Sequence, residues 1–505
     1  MNSFDTNGTF GRLTQDEGLR RVAVRSAAAT VTAQGLALVA QIVSTIVLAR
    51  LVTPADFGLV AMVTTFSLLL VSFGLNGFTE AVIHFEEIDH HTATNLFWIN
   101  LGAGLVLAML FAAAGSLLAM FYSFPPVTHV ARGLSAGIFI SSASVMHIAL
   151  LKRRMRFRAT SANEVAGRVV NTVISIILAT RGWGYWALVA GIVAQQLSVT
   201  LGAWLVCGWI PSVPRRTGKT WAMVRFAANV YARFTIRYST QNIDNLLIGW
   251  RFDAVALGFY KKAYDLFALS ASQVTAPLHN VAQSTLSRVN QDAGRFKRYL
   301  ANSIGIIAFV GMAASADLTL VGEHLVRLVL GSQWSESGRI FVLFGPGIGA
   351  MLLCGTVGWI HVSIGRPERW LRWTFVELTL SVSLFLASLS WGPAGIAAAW
   401  SISYWILLFP GFWYAGRPIG LGLSALMASI SRYAAASLMA GFTTAVIIRR
   451  TALWGEPSSA HNAFIAVIVT SALFITLYLG TVILVHWGLA PLRQFVVLLR
   501  ELNLR

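Results

Sequence analysis

Stretches of about twenty apolar residues recur from one end of the chain to the other, separated by short polar connections. A helix needs about twenty residues to cross roughly 30 Å of hydrocarbon. Backbone inside lipid must satisfy its own hydrogen bonds, so such stretches are helices or the strands of a closed barrel. Barrel strands alternate in runs of about ten residues, whereas Leu101 to Met120 and Phe464 to Val485 are long and nearly unbroken. The pattern therefore predicts an all-α integral membrane protein with about fourteen transmembrane helices. The first seven are expected near Ala27 to Leu48, Phe57 to Leu75, Leu96 to Tyr122, Val130 to Leu150, Val165 to Thr180, Tyr185 to Cys207 and Phe226 to Trp250. The second set runs Ala256 to Leu286, Ser303 to Leu320, Ile340 to Ile360, Trp370 to Leu389, Ala394 to Tyr414, Tyr433 to Ile448 and Phe464 to His486. The seventh and eighth stretches are unusually polar. Met1 to Arg25 is polar and the first apolar run exceeds a signal h-region, so no cleavable signal is expected.

Composition agrees. Of 505 residues, 56% are hydrophobic and only 11% charged, against roughly a quarter charged in soluble domains. The 38 Lys and Arg outnumber the 20 Asp and Glu, giving a net charge of +18, a surplus that in another setting points to nucleic acid. Here it sits in short loops between spans, and no nucleic acid partner is expected. Loop Lys and Arg stay preferentially on the cytoplasmic side. One side collects Arg20, Arg21, Arg25, Lys152 to Arg158, Arg215 to Lys219, Arg288 to Arg298, Arg366 to Arg372, Arg493 and Arg500. It holds roughly twenty-five of the thirty-eight basic residues and the other side about ten, which places both termini in the cytoplasm. No loop is large enough for a separate domain. Cys207 and Cys354 fall in or at the edge of spans and indicate neither a disulfide framework nor a zinc site.

The chain weakly repeats itself. Leu48-Ala-Arg-Leu-Val-Thr-Pro-Ala-Asp-Phe-Gly-Leu-Val60 aligns with Ile248-Gly-Trp-Arg-Phe-Asp-Ala-Val-Ala-Leu-Gly-Phe-Tyr260, with six helices between the copies. An even number preserves direction, as in parallel bundles related by an axis along the membrane normal. Gly58 and Gly258 are the only identity in that window, and a general likeness of helix junctions also accounts for it. The copies differ in charge: Arg233 and Arg237 stand against Ala33 and Ala37, and Lys261 and Lys262 against Ala61 and Met62.

Arg233, Arg237, Gln241 and Asp244 follow helical spacings of four, four and three along one face, with Asn242 and Asn245 flanking it. Lys261 and Asp265 are four apart and can pair, with Lys262 about 100° away. Ionisable groups in a span cost a few kcal/mol each on insertion scales, so they face a bundle interior, a partner or a wet cavity. The functional reading is a cationic cavity for an anionic headgroup. The alternative is that Arg233, Lys261 and Lys262 snorkel to the membrane surfaces while Asp244 pairs with Arg237. Arg168, between Glu164 and Asn171, reads more simply as an interfacial ion pair. Glu80, His84, Glu86, Glu87, Asp89, His90 and His91 cluster between two helices, more as a solvated turn than a metal site. Asp317 and Glu377 are isolated embedded acids. Gly218-Lys219-Thr220 lacks the partner glycine of a phosphate loop, since Val213 occupies that position. No catalytic residue, metal or cofactor is expected.

Several stretches resemble the Wzx-type oligosaccharide flippases: Leu48 to Leu59, Phe73-Gly-Leu, Thr94-Asn-Leu-Phe-Trp-Ile-Asn-Leu, and Asn242-Ile-Asp-Asn-Leu-Leu-Ile-Gly with Ala256-Leu-Gly-Phe-Tyr. Leu286-Ser-Arg-Val and Leu330-Gly-Ser-Gln-Trp are similar too, and the resemblance runs to about Pro418. It implies the multidrug, oligosaccharidyl-lipid and polysaccharide exporter superfamily, with two six-helix lobes around a central cavity and two further helices. The expected division is a cytoplasmic segment 1–25, an N-lobe 26–220, a C-lobe 221–418, two helices in 419–487 and a cytoplasmic tail 488–505. The implied activity is translocation of undecaprenyl-pyrophosphate-linked oligosaccharide repeat units across the bacterial inner membrane by alternating access. The implied partners are that lipid-linked oligosaccharide, membrane lipid, and polymerase or export machinery. Arg233 and Arg237 are the groups expected to bind the pyrophosphate, with Gln241, Asp244, Asn245, Lys261, Lys262, Asp265 and Arg168 as further candidates. The rival readings are a drug or ion antiporter of the same fold, which should present acids, and a membrane polysaccharide polymerase or ligase, which should carry a sizeable outer loop.

Overall fold

The computed structural model describes residues 35–215, 218, 220–270, 293–451, 460–489 and 493. The expected segment 1–25, most of the tail 488–505, the start of the first span and the end of the eighth lie outside the described residues. Among the described residues the chain forms helices and no strand. They are α1 (Gly35–Leu51), α2 (Pro54–His84), α3 (His90–Phe121), α4 (Pro126–Ser142), α5 (Val145–Arg153), α6 (Phe157–Thr180), α7 (Tyr185–Cys207), α8 (Thr220–Arg251) and α9 (254–270). There follow α10 (Ala293–Leu330), α11 (Ser335–Phe344), α12 (Ile348–Ser363), α13 (Pro367–Ser388), α14 (Gly392–Gly416), α15 (Leu423–Thr451) and α16 (Ala460–Val485).

Each of the fourteen predicted stretches, so far as it is described, falls on helix. Two are broken. The fourth becomes α4 and α5, bent by 40°, because the carbonyls freed at the break find side-chain donors. Asn100 Nδ2 donates to Ser142 O at 2.7 Å and Trp204 Nε1 to Ala143 O at 2.9 Å. The tenth divides into α11 and α12 at Gly345-Pro-Gly347, where the glycines and proline interrupt the helical ladder. By length and composition, eight stretches among the described residues can cross a membrane, and nine if the bent pair is one span. The polar α8 is not among them. On α3, Leu105, Val106, Met109, Leu110, Leu117 and Met120 are between 44% and 76% exposed. Apolar surface so continuous suits hydrocarbon as its solvent and not water. The chain is an all-α, multi-pass membrane protein.

Two compact units divide the chain, one up to Gly258 and one from Phe259. The sequence reading counts the 220–251 helix with the second lobe; here α8 packs along α2, and compactness assigns it to the first unit.

In the first unit, α2 starts on a capping arrangement. Thr53 Oγ1 accepts from the Asp56 amide at 3.2 Å and donates to Asp56 Oδ2 at 2.7 Å, and Pro54 occupies the first turn. The equivalent position of the repeat does the same work: Asp253 Oδ1 accepts from the Ala256 amide at 2.7 Å at the start of α9. These two helix starts touch. A Cβ on Gly58 would lie 1.6 Å from Ala254 O, and one on Gly258 would lie 1.9 Å from Pro54 O. Pro54 and Ala254 are themselves equivalent in the repeat, so the contact is reciprocal, as a two-fold relation between the copies requires.

The other end of α2 is closed by Arg153, which is 6% exposed. Its Nη1 donates to Val82 O at 2.7 Å and Phe85 O at 2.6 Å, and its Nη2 to Glu86 O. Val82 O is one of the carbonyls a helix C-terminus leaves without a partner, and Phe85 and Glu86 carry the chain out of the helix. Around them Phe78, Val82, Leu96, Phe97, Met146, Leu150, Trp209 and Met223 form a buried core. Arg153→Ala is expected to destabilise the protein by about 3 kcal/mol, since several buried carbonyls lose charged donors. Arg153→Lys should recover only part, because one ammonium cannot reproduce the fork of the guanidinium. The midpoint of thermal unfolding in detergent checks both.

The second unit is built on α10, which packs against α11, α12, α15 and α16. Ser437 Oγ donates to Met312 O at 2.6 Å and Tyr478 Oη to Phe309 O at 2.7 Å, tying α15 and α16 to it. Phe267 of α9 stacks on Phe344 at 4.9 Å beside Trp400.

Candidate functional site

The charged candidates concentrate on α8, and the placement of that helix begins in the connection before it. Asn95 on α3 donates to Arg215 O and to Thr220 Oγ1 at 3.2 Å, while its Oδ1 accepts from the Arg215 amide at 3.0 Å. Trp98 Nε1 donates to Ser212 O at 2.9 Å. Ser212, Arg215 and Thr220 are thus held to α3, and α8 starts from a fixed point. Gly77 of α2 lets the helices close up, since a Cβ there would lie 2.8 Å from Ala227 O. Further along, Tyr231 Oη donates to Leu69 O at 2.9 Å and its ring meets Phe73 edge-on at 4.9 Å.

With that side of α8 held to α2, Arg233, Arg237 and Gln241 are exposed on successive turns. Neither arginine forms an ion pair with another described residue. Asp244 and Asn245 are buried, at 1% and 2% exposure, because the last turns of α8 are packed: Gly249 lies against Tyr122 and Met62. The expected four-residue polar face therefore divides. Its first three members are accessible and Asp244 is not; Asp244 Oδ1 accepts from the Asn245 amide at 2.8 Å. Asn242 Nδ2 donates to Tyr238 O at 2.9 Å and Asn245 Nδ2 to Asn242 Oδ1 at 3.3 Å. Tyr238 Oη and Asn245 Oδ1 are buried with no hydrogen-bond partner among the described residues. Each such atom costs about 1–3 kcal/mol, so α8 carries two polar atoms that no described residue satisfies.

On α9, Lys261 Nζ pairs with Asp265 Oδ1 at 2.7 Å and lies 5.4 Å from the Tyr264 ring centre. Lys262 is buried, at 9% exposure, in the place Met62 holds in the first copy of the repeat. It does not snorkel. Arg168 is exposed on α6, and the expected ion pair with Glu164 is absent among the described residues, both side chains being exposed. The polar contacts of α6 are made instead by Asn171, which donates to Gln195 Oε1 on α7 at 2.8 Å, and by Asn163, which donates to Val199 O at 2.8 Å. No described contact joins Arg168 to α8. The acidic turn is structural: Asp89 caps α3 through the Thr92 amide at 3.2 Å, His90 Nδ1 accepts from Trp209 Nε1 at 3.1 Å, and His84 stacks on Phe226 at 4.7 Å. Burial works against ionisation of Asp89, yet the hydrogen bonds from Thr92 hold its carboxyl below the ordinary value. Among the described residues no three His, Cys, Asp or Glu converge as metal ligands.

The family model described as "Polysaccharide biosynthesis protein" matches residues 47–339. The chain belongs to this family. The match bears out the resemblance to the Wzx-type flippases. The chain is similar to the succinoglycan biosynthesis transport protein ExoT of Rhizobium meliloti (strain 1021), at 23% identity over 310 residues, 61% of this chain and 63% of that protein. It is similar to the teichuronic acid biosynthesis protein TuaB of Bacillus subtilis (strain 168), at 24% identity over 360 residues, 70% of this chain and 74% of that protein. A third relative is the lipopolysaccharide biosynthesis protein WzxC of Escherichia coli (strain K12), at 22% identity over 348 residues, 68% of this chain and 67% of that protein. The match thus spans less than two thirds of the rhizobial protein. Among solved structures, the fold resembles an inward closed conformation of the lipid II flippase MurJ, with a TM-score of 0.71 at 13% identity, covering 91% of this chain and all of that one. It also resembles an inward-facing multidrug resistance transporter of the MATE family, with a TM-score of 0.59 at 14% identity, covering 78% and 96%.

The residues that carry the family resemblance hold the fold. Asn95 and Asn100 serve the connections around α3, and Asn242 and Asn245 link turns of α8. Sequence reasoning missed the aromatic series beside the arginines: Tyr231, Phe234 and Tyr238 follow one another at ring separations of 6.3 and 5.7 Å. Their spacing of three and four was a legible signal.

Proposed function

We propose that this chain moves undecaprenyl-pyrophosphate-linked oligosaccharide repeat units from the inner to the outer leaflet of the bacterial cytoplasmic membrane, by alternating access. Both termini lie in the cytoplasm, as the distribution of loop Lys and Arg supports. The protein binds and carries its substrate and makes no bond. The observation that carries the reading is the pair of exposed arginines, Arg233 and Arg237, one turn apart on α8 in a member of the polysaccharide biosynthesis family. A guanidinium binds phosphate oxygens through two donors at once, so two of them on adjacent turns suit a pyrophosphate. Gln241 extends the face with an amide, and the Tyr231, Phe234 and Tyr238 rings lie beside it. The Lys261–Asp265 pair is internally neutral and a weaker candidate for anion binding. A drug or ion antiporter of this fold would present acids to its cation, whereas the acid of this face, Asp244, is buried.

Deleting the gene should leave lipid-linked repeat units on the cytoplasmic leaflet, where they are shielded from periplasmic enzymes. Wild-type protein should restore their export, and Arg237→Ala at equal abundance should not. Full export by Arg237→Ala would refute the site; unchanged export in the deletion strain would refute the function.

A further inference from the structure

Positive charge also gathers in the second unit, away from any group used above. A cavity of about 740 Å³ opens among the start of α10, the start of α15 and the end of α16. Lys297 and Arg298 line it from α10, Arg432 from α15, and His486 from just past the last residue of α16, with Asn302 and Ser429 between them. None of its thirteen lining residues is acidic. Arg298 and Arg432 are exposed, and neither forms an ion pair with a described residue. Lys297 Nζ donates to Gly420 O at 2.9 Å, which steadies the turn before α15 and leaves ammonium protons for a ligand.

The backbone adds to the field. Leu421 and Gly422 line the cavity just ahead of α15, so the positive end of a 29-residue helix lies beside the same space. The opposing end of α16 is muted, because its carbonyls have local donors. The His486 amide donates to Val482 O at 3.0 Å, the Trp487 amide to Leu484 O at 3.3 Å and the Gly488 amide to Ile483 O at 3.2 Å. Beside His486, Leu484 is 72% exposed and Trp487 96% exposed. A cavity with cationic side chains on largely apolar walls, close in sequence to the exposed Leu484 and Trp487, suits a molecule with a charged head and hydrocarbon tails, as at a membrane interface.

We propose that this cavity binds the phosphate headgroup of an anionic membrane phospholipid. The site shares no residue with the α8 face and needs no sugar-bearing substrate, so it stands or falls separately from the proposed transport activity. The full chain, reconstituted in nanodiscs of phosphatidylcholine with one fifth phosphatidylglycerol, is released and its retained lipids counted by native mass spectrometry. The wild type should hold phosphatidylglycerol in preference to phosphatidylcholine. The Arg298→Gln, Arg432→Gln double variant should lose that preference by on the order of tenfold, and the Lys, Lys double variant should keep most of it. In the wild type, a photoactivatable phosphatidylglycerol should label peptides containing residues 297–302 or 429–433, a readout that needs no variant to fold. Inorganic phosphate or pyrophosphate stabilising the wild type in phosphatidylcholine alone, with no phosphatidylglycerol retained, would make this a free-anion site and overturn the lipid assignment. Equal lipid retention by wild type and Gln variant, or labelling only elsewhere, would overturn the site.

Discussion

Gly58→Ala is expected to destabilise the protein by about 3 kcal/mol or more, at the top of the roughly 1–3 kcal/mol range for added core methyl groups. The methyl would lie 1.6 Å from Ala254 O, 2.6 Å from Ala254 C and 2.8 Å from the Gly258 amide nitrogen. All three are backbone atoms at the start of a helix, so no rotamer change relieves the clash and one helix must move. Gly258→Ala should act in the same direction, since its methyl meets Pro54 O at 1.9 Å. Because both changes push the same two helix starts apart, the double variant should lose less than the sum of the single losses. Gly102→Ala is the control. It lies within α3 with open space around its Cβ position, and a methyl there should be neutral or stabilise by roughly 0.5 kcal/mol. Unfolding midpoints in detergent separate these outcomes, and a Gly58→Ala protein as stable as Gly102→Ala would contradict the close reciprocal contact.

That contact also marks what the sequence made legible. The window from Leu48 to Val60 and its copy shared only Gly58 and Gly258, and that identity is where the two copies meet. Membrane insertion forces long apolar runs, so most of the segments are legible from hydropathy, whereas the polar α8 falls short of a spanning helix by that measure. Their ends and breaks are not. The α4–α5 bend depends on Asn100 and Trp204, which are distant in sequence from the carbonyls they satisfy. The Gly345-Pro-Gly347 break was present in the residues, yet an apolar window is blind to it. In the sequence the basic run from Lys152 to Arg158 has the character of loop charge, although Arg153 is buried and closes α2. Spacing correctly put Arg233, Arg237 and Gln241 on one face, but a helical wheel does not reveal where packing begins, and Asp244 lies past that point.

Removing both α8 arginines has the largest expected effect on transport. Arg233 and Arg237 are exposed and form no ion pair with a described residue, so replacing them leaves no buried partner charge and should not disturb the fold. If each supplies charge-assisted hydrogen bonds to a pyrophosphate, each loss should weaken substrate binding by on the order of tenfold, and both together by about a hundredfold if the contributions add. Arg237→Lys should be intermediate, keeping the charge without the two-donor geometry.

Purified protein in sealed vesicles, loaded in one leaflet with a polyisoprenyl-pyrophosphate-linked oligosaccharide, measures this directly. The readout is the rate at which the sugar becomes accessible to a glycosidase outside. Wild type should expose it far faster than empty vesicles, and the Arg233→Gln, Arg237→Gln variant should fall close to the protein-free rate while unfolding at the wild-type temperature. A variant that flips the lipid as fast as wild type would contradict the account.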